Sequence, residues 1–229
     1  MPKPRGLRLL QGYVFDRRTG RYTREATGRF VARSKIVELM ERSVQGRERR
    51  LYVGARRAVA GEISPNVWLS RTRIMLKRQY LQDAALAAGG WDKLTPADYG
   101  RIGGRLRSQY RRLAGMAEEI RAGTISEAQA VNRMTMYVGE ARREFYDVER
   151  ERRPPPPPGK TRLERRLLAA KDSGNCEDCL RYYDQGWQPS GTLPVPGAES
   201  VCMGNCRCDL AIKVVDTERA DAMVGTKGG

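Results

Sequence analysis

Five cysteines fall in the last quarter of the chain, as Cys176-x-x-Cys179 and then Cys202-x-x-x-Cys206-x-Cys208, and there is no histidine anywhere. Thiols grouped in this way hold a soft metal ion, form disulfides, or carry an iron–sulfur or redox centre. The C-x-x-C spacing aims two sulfurs at one ion from a tight turn. Gly204 would let the Cys202–Cys206 loop close, and Cys206 and Cys208 share a face if that stretch is extended. Tetrahedral zinc takes four thiolates, so the pattern predicts Cys176, Cys179 and Cys202 with either Cys206 or Cys208. A catalytic zinc usually keeps one ligand position open. Here no histidine or paired carboxylates accompany the thiols, and the usual hydrolase triads are excluded. The expectation is a structural zinc and no enzyme. Gly159-Lys160-Thr161 looks like the end of a phosphate-binding loop, but Pro154 stands where the first glycine belongs.

The elements around the thiols are short. Pro189–Gly197 is rich in turn formers, and Tyr182, Tyr183, Trp187, Leu193 and Val195 are the expected miniature core. A region of about fifty residues rarely folds on such a core alone, and a metal would supply the missing stability. A short helix over Thr161–Lys171 should lead into it. Pro154–Pro158, five prolines in a row, read as a semi-rigid spacer (154–160) between two domains.

Upstream, the patterning is helical over 34–153. Ser34 is a plausible cap for a first helix to about Ala60, with Ile36, Met40, Val44, Leu51, Ala55 and Ala58 on one stripe. Ser64-Pro65 opens a second, whose Val67, Ile74, Leu81 and Ala85 share a face up to Gly89-Gly90. Thr95 and Asp98 cap a third, with Tyr99, Ile102, Leu106, Tyr110, Leu113, Ala117 and Ile120 at helical spacing and Gly123 as its stop. Ser126 and Gln129 form a capping box for the fourth, which buries Val131, Met134, Val138, Ala141, Phe145 and Val148. The link at 123–125 makes the third and fourth helices antiparallel neighbours. Residues 1–33 show no helical period and read as a basic irregular arm. The fold class is therefore mainly α: four helices plus a small irregular, cysteine-rich zinc module over 161–229.

Charge is uneven. The 43 basic residues outnumber the 27 acidic ones by 16, and all of that excess lies before residue 159. Arginine predominates, and guanidinium grips phosphate and carboxylate in pairs of bonds. Arg105, Arg111, Arg112, Arg142, Arg143 and Arg150 fall opposite the apolar stripes and are expected on a solvated face. No apolar run approaches the roughly 18 residues of a membrane span, and the N-terminus lacks a signal peptide's apolar stretch. A reducing cytosol is the expected setting, which favours metal over disulfide.

The ending Gly204-Asn205-Cys206-Arg207-Cys208, behind Cys176-x-x-Cys179 and Gly191-Thr-Leu-Pro-Val-Pro-Gly197, resembles the C-terminal module of tailed-phage minor head proteins. That is the head morphogenesis family related to the F protein of phage Mu. Its hallmark is a C-x-x-C pair followed by C-R-C; a His or Cys often precedes the last motif, and Cys202 takes that place here. The stretches Thr27–Ser34 and Gly89–Tyr146 are also similar to proteins encoded near phage portal and capsid genes. The resemblance implies an assembly role in a virion head, made in host cytoplasm. Partners would be portal, capsid or other head proteins, and packaged DNA through non-specific phosphate contacts. A non-specific DNA-binding zinc protein is the competing reading.

Overall fold

The computed structural model describes residues 13–16, 18–169, 174–198, 200–202 and 206–226. It is mainly helical, with six α-helices, two small sheets and a cluster of cysteines near the C-terminus. Four helices are long: α1 (Arg33–Val59), α2 (Pro65–Ala88), α3 (Pro96–Ala122) and α4 (Glu127–Arg152). None is long and apolar enough to cross a membrane, among the described residues.

The helix starts follow their caps. Ser64, Thr95 and Ser126 each accept a hydrogen bond from the backbone N–H three residues on, and Asp98 and Gln129 return one to complete capping boxes. Gly89 and Gly123 end α2 and α3 in the left-handed region, with φ of +81° and +66°. At Gly89 the glycine is needed twice, because a Cβ there would stand 2.1 Å from the Phe15 nitrogen. The start of α1 differs from expectation. Its cap is Ala32, which offers no side-chain bond, and Ser34 lies inside the helix.

The expected stripes of α1 and of α4 are buried, apart from Val131, which is half-buried. On α3, Tyr99 and Tyr110 are half-buried and the other five are buried. The face expected for α2 holds only in its second half, where Ala85 is buried and Leu81 half-buried. Val67 and Ile74 are exposed, and the buried side carries Trp68, Thr72, Leu76, Gln79, Tyr80 and Asp83. Polar residues on the inner face hid the helical period from a hydrophobicity reading. The third and fourth helices are in contact, as expected of neighbours, though other pairs pack more closely. α4 packs on α1 and α2, while α3 packs on α2 and reaches α4 through long charged side chains.

Residues 13–31 correct the irregular arm. They form an antiparallel sheet of β1 (Tyr13–Asp16), β2 (Arg21–Arg24) and β3 (Phe30–Val31). Its period is two, and Phe15, Tyr22 and Val31 are buried in the helical core. The Tyr22 hydroxyl donates to the Ala87 carbonyl at 3.2 Å. Residues 1–12 of the expected arm lie outside the described residues.

The expected short helix over Thr161–Lys171 is instead β4 (Lys160–Leu167). Residues 170 and 171 lie outside the described ones. β4 is the middle strand of a second sheet, between β5 (Gln188–Pro189) and β6 (Asp209–Asp216). Eight residue pairs, Lys160↔Asp216 to Leu167↔Asp209, run in unbroken antiparallel register. A local helical pattern loses to this long-range partner, rich in β-branched residues. Two short helices complete the region: α5 (Glu177–Asp184) and α6 (Thr217–Met223).

Nor does the proline run hold two bodies apart. Pro154 packs against Gly20, and its carbonyl accepts from Arg162. The expected miniature core is divided. Tyr182, Leu193 and Val195 join the helical core itself, whereas Trp187 packs with Leu163, Val215 and Ala220. One continuous core spans the proline run.

Candidate metal centre

The thiols are delivered by three elements. Cys176 caps α5, its Sγ accepting from the Cys179 N–H at 3.4 Å. Cys179 sits in the first turn of α5 and points back to the same side. Cys202 lies in a turn held to α5 by the Val201 N–H, which donates to Asp178 Oδ2 at 2.8 Å. Cys206 and Cys208 lead into β6 and are both buried. All five are free thiols.

The sequence left five candidates for four places, and the structure brings all five together. Cys179 is the hub. Its Sγ lies 3.9 Å from that of Cys202 and 3.6 Å from that of Cys206. Cys176, Cys179 and Cys202 form one triad and Cys179, Cys206 and Cys208 another, the sulfurs of each within 4.8 Å of one another. The cluster can hold a metal ion. Gly204, the expected hinge, lies outside the described residues.

Crowding splits the acidities. Hydrogen bonds from the Cys179 and Cys208 thiols, helped by the Arg166 charge, hold the Cys206 thiol far below its ordinary value. Cys179 moves far up, because its proton is the one those bonds use. Burial pushes Cys202 up to about 12. Burial also opposes ionisation of Cys176, but the Cys179 N–H and the Cys202 thiol outweigh it and bring Cys176 down. Adjacent thiolates repel, so full ionisation of the set needs a cation among the sulfurs.

Arg142 supports the cluster from the helical side, and the sequence reading misplaced it. Expected on a solvated face, it is 4% exposed. Its guanidinium donates to the carbonyls of Cys206, Arg207 (3.3 Å) and Cys208 (3.0 Å), while its Nε meets Glu41 at 2.6 Å. One α4 side chain therefore fixes the backbone of three consecutive residues, two of them thiols. Arg166 is buried likewise, over the Tyr182 ring and donating to the Pro194 carbonyl at 2.5 Å. The signal for Arg142 was in the sequence: it lies four residues after Val138 and three before Phe145, on the buried stripe.

Other expected surface arginines are half-buried and paired. Arg105 meets Glu144 and Asp147, each at 2.5 Å, and Arg150 meets the buried Glu164 at 3.1 Å and the Leu193 carbonyl at 2.8 Å. Arg111 and Arg112 are exposed as expected, and Arg143 is partly so. No family model, curated protein or solved structure matches this chain.

Proposed function

We propose that the chain is a structural component of a phage virion head, a minor capsid or head morphogenesis protein, in which a zinc ion fastens the C-terminal region to the helices. One observation carries the reading. The five thiols converge on Cys179, and the Cys206-Arg207-Cys208 ending, the basis of the resemblance, lies inside that cluster with its backbone held by Arg142.

Zinc suits the donors. A tetrahedral ion with Zn–S bonds of about 2.3 Å spaces its sulfurs about 3.8 Å apart, and Cys179 lies 3.9 Å from Cys202 and 3.6 Å from Cys206. Cys176, Cys179 and Cys202, one compact triad, would be ligands, with Cys206 or Cys208 from the other triad as the fourth. The ion would supply charge neutralisation and a cross-link. The surroundings also favour a structural role over catalysis, since Cys179, Cys206 and Cys208 are buried and Leu168 packs against them.

As a head component the protein would be made in host cytoplasm and act in the virion, bound to portal, capsid or packaged DNA. Two measurements test this. Metal analysis of the purified full chain should give about one zinc per chain. Particles emptied of DNA should retain the protein at moderate salt. A metal-free purified chain would refute the zinc centre, and absence from particles would refute the head role.

A further inference from the structure

Many arginines among the described residues are occupied. Arg33, Arg101, Arg105, Arg150, Arg152 and Arg153 all reach buried carboxylates, and the buried Arg142 reaches Glu41. The charge excess must therefore appear elsewhere, and the sequence shows where. Residues 63–82 and 99–117 contain nine Arg and Lys and no Asp or Glu. The first stretch belongs to α2 and the second to α3, which pack together.

Between these two helices runs an open groove of about 540 Å³, lined by Arg73, Lys77, Gly103, Arg107, Tyr110 and Arg111 among others. Lys77, Arg107 and Arg111 are exposed and have no carboxylate partner among the described residues. Arg73 is fixed in the wall. Its guanidinium lies 5.3 Å from the Tyr110 ring centroid and donates to the Tyr110 carbonyl at 3.3 Å, while the Tyr110 hydroxyl donates to the Arg73 carbonyl at 3.0 Å. Its charge thus stays in the groove without being neutralised.

The spacing is that of a rail. Arg73 and Lys77 on α2 are four residues apart, as are Arg107 and Arg111 on α3. Each pair covers one helical turn, about 5.4 Å. A nucleic-acid strand rises about 3.4 Å per phosphate, so each row spans one to two phosphates. Gly103 contributes no side chain, and nothing lies within 4 Å of where its Cβ would be. A backbone could approach closely there.

We infer that the α2–α3 groove binds the phosphate backbone of duplex DNA without reading its sequence. This rests on, and deepens, the head reading by naming the partner and the surface. Guanidinium forks match phosphate oxygens in pairs, and unneutralised cations aligned along both walls of one groove suit a partner whose charges repeat regularly, as a nucleic-acid backbone's do. No aromatic ring stands free in the lining to stack an unpaired base, which favours duplex over single strands.

The test uses the full chain and a fluorescent 25-base-pair duplex of arbitrary sequence, titrated between about 50 and 200 mM salt. Lys77→Gln, Arg107→Gln and Arg111→Gln together should weaken binding by about tenfold or more and flatten the log K against log salt slope by about 3. Arg42→Gln with Arg57→Gln, which removes two exposed but paired charges, should leave the slope nearly unchanged. If the triple variant misfolds, Arg107→Gln and Arg111→Gln singly should each lower the slope by about 1. An unaltered slope, or a wild-type chain that does not bind the duplex at low salt, overturns the inference. Equal competition by polyglutamate also overturns it, in favour of an acidic protein partner. Groove-dependent binding by a chain absent from particles refutes the head role alone. Particle association with groove-independent DNA binding refutes this inference alone.

Discussion

Two arginine-lined regions of this molecule have the same chemistry and opposite fates. At the seam between α4 and the cysteine region, Arg142 and Arg150 are met by carbonyls and carboxylates of the chain itself. Along the groove between α2 and α3, Lys77, Arg107 and Arg111 have no such partner among the described residues. The lesson is that net charge does not locate a binding surface; pairing does. An arginine satisfied at 4% exposure is part of the core, and only one facing water without a carboxylate is available to something else.

The comparison breaks most severely at the seam. Loss of the proposed metal, by chelation or by Cys179→Ser, should produce the largest effect. It removes the cross-link and leaves the thiol backbone on Arg142 unsupported. Thermal melting should fall by about 10 °C or more, and proteolysis near Trp187 should rise. Next comes Arg142→Gln, which strips three carbonyls and Glu41 of their partner. A cost of about 3–5 kcal/mol is expected from denaturant unfolding, together with weakened metal retention. A cost below about 1 kcal/mol would mean that the loop holds itself.

A smaller effect concerns the one buried acid on the α2 side. Burial pushes Asp83 up to about 7, opposed by Arg47, which comes no closer than 3.8 Å. Gln79 on its own helix, Glu41 on α1 and Arg142 on α4 are the other groups acting on it. The folded state therefore holds a proton that the unfolded chain gives up near pH 4. Stability from this group is full below about pH 4, declines as pH rises to about 7, and is level above. Asp83→Asn should remove that decline. The slope is the readout, because Arg47 also loses its counter-charge; a slope equal to wild type would show that Asp83 is ionised throughout. Smallest in stability are the groove changes, Lys77→Gln, Arg107→Gln and Arg111→Gln, each within about 0.5 kcal/mol. A larger loss would move those residues to the paired side.

The sequence reading succeeded where the signal is local. Caps at Ser64, Thr95 and Ser126, the stops at Gly89 and Gly123, and the apolar stripes of α1 and α4 are each written within a few residues. The five thiols were legible as a group for the same reason. What failed depends on distant partners. β4 is a strand because β6 lies beside it, fifty residues later. β1 to β3 form on a helical surface that their own residues do not encode. Arg142 stands on the buried stripe of α4, but the partners that let a charge sit there, Glu41 and the backbone of 206–208, lie far off in sequence. The five prolines promised a separation that core residues from both sides abolish.

The central claim is that the cysteine centre and the helices form one cooperative body. Melting of the full chain, followed by far-ultraviolet helical signal with and without a strong chelator, tests it most directly. The account predicts that chelation lowers the midpoint of the helical transition itself, together with the temperature at which the chain around Trp187 becomes protease-sensitive. A helical transition unmoved by chelator, while the region around Trp187 becomes protease-sensitive, would contradict it and restore two independent domains.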